Sequence, residues 1–140
     1  MTLIEFVNGY CGKKVDFDGY YGAQCVDLFR QYCKDVLEVP HTGAVEGAKD
    51  LVERYWSLPV ERKHFVLCKE PSSARCGDVV VWGATQNNRY GNVAIMVAWD
   101  ENVMLVFEQD GIKQDGAKLK WRTAKDVIGV LKKWNREDAA

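Results

Sequence analysis

The sequence predicts an α+β fold, with N-terminal helices packed on an antiparallel β-sheet. Two observations carry this reading. Apolar residues recur at helical spacing in the early part of the chain, and β-branched runs bounded by turn residues fill the later part. The length adds a third: 140 residues suit one ordinary domain, residues 1–140, long enough to bury a core.

Taken in order, "TLIE" (Thr2–Glu5) has the form of a capping box, so a helix should start there and end near Gly12. From Gln24 onward Val26, Phe29, Cys33, Val36 and Leu37 keep helical spacing, which predicts a second helix to about Leu37. Pro40–Gly43 reads as a turn, and Ala44–Tyr55 as a third helix weakened by Gly47. Pro59 and Pro71 bracket an irregular connection. "DVVVWG" (Asp78–Gly83), "NVAIMVAW" (Asn92–Trp99) and "NVMLVFEQ" (Asn102–Gln109) are expected strands, the last two joined as a hairpin through "DENV". "DVIGVLKKW" (Asp126–Trp134) is a further one. "ERK" and "KLKW" read as solvated surface. The polar end "NREDAA" is expected to fray or to run on into a linker of a longer parent.

Composition narrows the function classes. The formal net charge is −1, with 19 Lys+Arg scattered against 20 Asp+Glu, so there is no electrostatic footprint for nucleic acid. No apolar stretch has the length of a membrane span, and Met1–Tyr10 lacks the basic head and apolar run of a signal peptide. The expectation is synthesis in the cytoplasm, with release by another agent if the protein acts elsewhere. The five cysteines are odd in number, form no C-x-x-C pair and have no histidine beside them, which points away from zinc and from a disulfide framework. Four of them, Cys11, Cys33, Cys68 and Cys76, are read as buried thiols.

Cys25 differs because of what precedes it, "DFDGYYGAQCVDLF" (Asp16–Phe29). With Asp16 as position 1, carboxylates fall at positions 1, 3 and 12: Asp16, Asp18 and Asp27. Tyr20 takes position 5 and Gly22 position 7, where a backbone carbonyl can serve. This approaches the ligand spacing of a calcium loop, with two departures: Tyr21 where glycine is usual, and Asp27 in place of a longer glutamate. The plainer alternative is an acidic turn that caps the next helix. Calcium is the favoured reading, since three converging carboxylates repel one another without a cation. A thiol in the first turn of a helix also feels the positive end of the backbone dipole, which favours thiolate. The alternative is a small buried hydrophobe. Downstream, "GNVAI" and "EQD" complete an order of nucleophile, base position and carboxylate like that of papain-like enzymes.

Together "DFDGYYGAQCVDL", "GDVVVWG", "GNVAIMV" and "VFEQD" resemble the CHAP domain, the cysteine, histidine-dependent amidohydrolase/peptidase module of phage endolysins, over Thr2–Trp134. The resemblance implies a papain-like, NlpC/P60-related fold that cleaves peptidoglycan amide bonds as an amidase or endopeptidase. It implies Cys25 as nucleophile and Glu108 as orienting carboxylate. It also implies calcium held by Asp16, Asp18, Tyr20, Gly22 and Asp27. Tyr21 and Gln24, beside the thiol, become substrate-binding candidates, and the Gln24 backbone or the Cys25 N–H a candidate oxyanion hole. The implied partner is bacterial peptidoglycan, met at the cell wall by a monomer whose parent has room for a separate wall-binding domain.

One position departs. Where the family carries its base histidine this chain has Asn92, and a carboxamide cannot take up a proton near neutral pH. Asp110 stands where the family tends to have asparagine. The two histidines, His41 and His64, are read as facing solvent or satisfying a local hydrogen bond, His41 being the less implausible substitute base. The expectation is therefore an inactivated or impaired hydrolase. The alternatives are a wall-binding pseudoenzyme and a calcium-dependent cysteine protease acting on proteins. Trp82, Trp99, Trp121 and Trp134 are read as core or edge packing, with one or two free to line a groove.

Overall fold

The computed structural model describes residues 1–19, 22–40 and 43–134. Tyr20, Tyr21, His41 and the end from residue 135 lie outside the described residues, as does part of the expected turn at Pro40–Gly43.

Thr2 starts the first helix as its sequence requires. The Glu5 N–H donates to Thr2 Oγ1 (3.1 Å) and the Thr2 N–H to Glu5 Oε1 (2.9 Å), so α1 spans Leu3–Tyr10. The second helix, α2, spans Cys25–Tyr32 and passes into a π-helical turn over Cys33–Leu37 that ends on Glu38 at φ 55°. The third expected helix is cut short: α3 covers only Asp50–Glu53. Asp50 Oδ2 accepts the Glu46 and Gly47 N–H groups, making residues 46–47 a cap. The same segment is pinned sideways, with the Lys49 N–H donating to the Tyr90 carbonyl (3.0 Å) and Gly47 packed too closely on Tyr90 to admit a Cβ.

The connection read as irregular holds two elements. Pro59 takes the first turn of α4 (Pro59–His64), where its missing N–H costs nothing. Phe65–Cys68 then forms β1. The remaining strands are β2 (Val79–Trp82), β3 (Asn92–Asp100), β4 (Val103–Gln109), β5 (Ala117–Thr123) and β6 (Val127–Lys133). Strand β5 contains "KLKW", which lies at the surface with Leu119 and Trp121 exposed but is paired into the sheet. It alternates in exposure as an edge strand with one solvated face should. All six strands pair antiparallel in the order β1-β6-β2-β3-β4-β5. Helices with an antiparallel sheet make the fold α+β, as expected.

The sheet is apolar on both sides. Val79, Val81, Val93, Ile95 and Phe107 face the helices and meet Phe6, Leu28 and Phe29. Their alternates Val80, Trp82, Ala94, Met96 and Val106 form a second cluster on the opposite face. Phe6 contacts Phe107 and Tyr32 edge-on, with centroids 5.9 and 5.4 Å apart. Period-2 placement has a consequence at the strand ends. Asn92, two residues before Ala94, and Glu108, two after Val106, continue the second face beyond its apolar part. Among the described residues, no helix is long and apolar enough to cross a membrane.

The cysteines differ from expectation. Cys33 is buried, but Cys11 and Cys76 are exposed and Cys68 is half-buried; no disulfide forms. Cys11 follows α1 directly and Cys76 lies in the turn before β2, where the apolar pattern no longer governs burial.

Candidate functional site

A cleft of about 1380 Å³ opens between the N-terminus of α2, the segment after residue 43, and the ends of β2 to β5. Cys25, Asn92 and Glu108 all line it, with Trp82 of the interior strand β2 and with Trp121 and Arg122 of the edge strand β5. Three residues distant in sequence therefore share one space.

The sulfur is placed by the start of α2. Gln24 is its N-cap, and the Gln24 N–H donates to Asp27 Oδ2 at 2.9 Å, one arm of a capping box. That bond uses up the Gln24 amide, so the expected contribution of its backbone N–H to an oxyanion hole is withdrawn; the side chain still lines the cleft. The Val93 amide, next to Asn92, lies within hydrogen-bonding reach of the Cys25 sulfur, as does the Val26 amide. The thiolate expected from the helix dipole is not favoured. Burial pushes the Cys25 thiol up to about 11, the Glu108 carboxylate adds to the rise, and these amides only partly oppose it. Alkylation by iodoacetamide at neutral pH is therefore expected to be at least ~10-fold slower at Cys25 than at exposed Cys11, read by peptide mass mapping.

Asn92 opens β3 opposite Trp82. Gly91 sets its position: φ is +74°, and a Cβ there would strike the Trp82 carbonyl oxygen. The Asn92 Nδ2 is buried with no hydrogen-bond partner among the described residues. Glu108 is 1 % exposed, and both its carboxylate oxygens accept from Arg122, through Nε and Nη2. Asp110 lines the cleft while its Oδ1 accepts the Ile112 and Lys113 N–H groups, closing a turn. No histidine among the described residues lines the cleft. His64 ends α4, where its carbonyl accepts the Trp134 N–H. Trp82 is buried and Trp121 exposed, and both border the cleft; Trp99 instead packs on the second apolar cluster.

The acidic residues converge as their spacing suggests. One carboxylate oxygen each from Asp16, Asp18 and Asp27 lie within 4.8 Å of one another. Asp16 Oδ1 also accepts the Gly19 N–H (3.1 Å), and Gly22 follows at φ +73°. Arg30 approaches this group, 3.2 Å from Asp18 and 3.9 Å from Asp27. The Asp27 carboxyl is raised, by burial first and then by the Asp18 and Asp16 charges, against the Gln24 amide and Arg30. Three carboxylates and one guanidinium leave a formal surplus of two negative charges among hard oxygen donors, which are the groups that could hold a hard divalent cation.

Two glutamines not anticipated from the sequence fix the loop before Cys25. Gln109, fully buried, accepts the Val15 N–H (2.8 Å) and donates to the carbonyls of Val15 (2.7 Å) and Gln24 (2.8 Å). Gln114 accepts the Ala23 N–H (3.1 Å) and donates to the Ala23 and Gly111 carbonyls. The usable signal for Gln109 was its parity with Phe107, which turns an amide toward the helices.

No family model matches the sequence. Solved structures do match in fold. The crystal structure of Ly7917 aligns with TM-score 0.71 at 19% identity, covering 93% of this chain and 60% of that one. Ly7917 "with the hydrolyzing product of MDP" aligns with TM-score 0.69 at the same identity and coverage. The wild type endolysin LysIME-EF1 aligns with TM-score 0.71 at 24% identity, covering 92% of this chain and 61% of that one. The chain thus shares its fold with an endolysin and spans about three fifths of the length of these solved proteins.

Proposed function

We propose that this chain is a CHAP-type peptidoglycan hydrolase domain of a phage endolysin, built around Cys25 and impaired as it stands because Asn92 occupies the place of the base. The observation that carries the reading is the position of the Cys25 sulfur. It stands at the head of α2, against the Val93 amide, in one cleft with the side chains at 92 and 108. The shared fold with an endolysin, and with Ly7917 bearing a hydrolysis product of MDP, supports bacterial peptidoglycan as the substrate and the cell wall as the place of action.

With an imidazole at position 92, the Cys25 proton would pass to the ring and the sulfur would attack an amide carbonyl of the wall peptide. The oxyanion would face the first-turn amide of Cys25 and the Gln24 side chain. The ring would return its proton to the leaving amine, and water would then release the thioester. Asn92 can do neither transfer. The direct test is Asn92→His, followed by wall lysis and by release of new amino groups, with Asn92→His/Cys25→Ala as control. A second reading, a domain that binds wall peptides without cutting them, is favoured by the raised Cys25 thiol and the engagement of Glu108 by Arg122. Co-sedimentation with purified walls, without lysis even for folded Asn92→His, would select it.

The carboxylates of Asp16, Asp18 and Asp27 are inferred to hold calcium, with the Gly22 carbonyl as a further donor. Bound there, the ion would supply positive charge that ties the loop to the first turn of α2. Chelation is expected to lower the thermal midpoint. A site at 100-fold excess over its Kd contributes about 2.7 kcal/mol, or roughly 8 °C for a domain of this size. An unchanged midpoint in excess chelator would count against a bound ion.

A further inference from the structure

We propose that Arg122 is a positioning residue that holds Glu108 in the role left vacant by the asparagine at 92, so that a base restored at 92 gains its orienting carboxylate only when Glu108 is released from Arg122. The inference rests on the reading of Cys25, position 92 and Glu108 as one hydrolytic site.

Glu108 is 1 % exposed, and a carboxylate so buried needs a cation or several donors to stay charged. An imidazolium at 92 could act as that cation; the carboxamide of Asn92 cannot. Strand β5 puts three basic side chains on the face of Glu108: Lys118, Lys120 and Arg122. Lys118 stands directly opposite Glu108, yet its ammonium pairs with Asp115 at 2.7 Å. Arg122 is paired with Met104, four residues along, and reaches back along the edge to give Glu108 two N–H groups. The planar fork matches both oxygens at once, which a single ammonium cannot do. Its position is fixed from the other side as well. The guanidinium carbon lies 5.7 Å from the centre of the Trp82 ring, and Trp82 Nε1 donates to the Thr123 carbonyl (3.3 Å), tying β5 to β2.

The unpartnered Asn92 Nδ2 is the independent sign. Glu108, in the same cleft, gives an oxygen to each of two Arg122 N–H groups, while the amide of Asn92 has no acceptor among the described residues. A ring introduced at 92 would meet the same competition.

The test compares four proteins: the parent, Arg122→Gln, Asn92→His and the double variant. Nuclear magnetic resonance is used to look for the far-downfield, exchange-protected ring N–H proton that an imidazole shows when it donates to a carboxylate. The expected result is no such proton in Asn92→His and a clear one in the double variant. Thermal midpoints give a second readout. Arg122→Gln should lower the midpoint at least about threefold more in the Asn92 background than in the histidine background, where the ring replaces the lost cation. Failure of Arg122→Gln to fold while the double variant folds is the extreme of the same result. The proposal is overturned by the proton appearing with Arg122 in place, by its absence from both histidine variants, by equal falls in midpoint, or by a double variant that does not fold. None of these readouts depends on wall cleavage, so loss of the hydrolase reading would show in lysis and loss of this one in the ring proton.

Discussion

Asn92→His is expected to raise the rate of cell-wall lysis by at least about 100-fold, within the roughly 10²- to 10⁴-fold that a positioned base contributes. The backbone at 92 is ready for the ring. Gly91 turns at φ +74° under the Trp82 carbonyl, and β3 pairs at once with β2, so the new side chain leaves the strand where the carboxamide does now. The Cys25 sulfur is its neighbour through the Val93 amide. The need for a base is large because burial and the Glu108 charge push the thiol up to about 11, leaving on the order of one sulfur in 10⁴ ionised at pH 7. The gain should fall short of the upper figure while Arg122 keeps both oxygens of Glu108, because an unsupported ring samples unproductive orientations. Turbidity of a wall suspension measures it. A folded Asn92→His protein that lyses walls no faster than the parent would remove the hydrolase reading, and the same variant with Cys25→Ala must show no gain.

The second large effect is structural. Gln109→Leu is expected to destabilise the domain by about 3 kcal/mol or more, because it strips partners from three backbone groups at costs of roughly 1–3 kcal/mol each where burial is complete. Leucine fills similar space, so the loss isolates hydrogen bonding from cavity formation. The groups are the N–H and carbonyl of Val15 and the carbonyl of Gln24, which bracket the acidic loop at both ends. A fall of roughly 10 °C in thermal midpoint corresponds to that loss. In the Asn92→His background the same change should also reduce lysis, since Gln24 is the cap that presents Cys25. A midpoint within 2–3 °C of the parent, roughly what 1 kcal/mol would move, would show that the loop is held mainly by other contacts.

Elements with strong local patterns were legible in the sequence. The capping box at Thr2 and Glu5 forms as written, and the runs at 79–82, 92–100, 103–109 and 127–133 are strands with ends shifted by a residue or two. Misreadings fall where local pattern and tertiary demand disagree. Ala44–Tyr55 contains good helix formers, but Gly47 and Lys49 are committed to Tyr90 and only Asp50–Glu53 stays α-helical. "FVLC" is too short for its period to separate a strand from a helix end, and β6 decides the matter by pairing with it. "KLKW" is polar because β5 is an edge, and polarity alone does not distinguish an edge strand from a loop. Within the site, the convergence of Asp16, Asp18 and Asp27 followed from spacing along one segment. The engagement of Glu108 by Arg122 did not, since it joins two strands through a diagonal that no spacing encodes.

The residue types themselves came from the chain alone: a cysteine at a helix start, carboxylates two and eleven positions apart ahead of and behind it, and an asparagine at the position where the CHAP resemblance implies a histidine. Those are local facts of chemistry and period, and no packing can alter them. Only the folded chain decided that the sulfur is shielded enough to hold its proton, that a buried glutamine moors the acidic loop, and that the carboxylate at 108 is matched by a guanidinium. Each of these depends on desolvation and on contacts between residues far apart in sequence, and both quantities exist only once the sheet has brought its strands together.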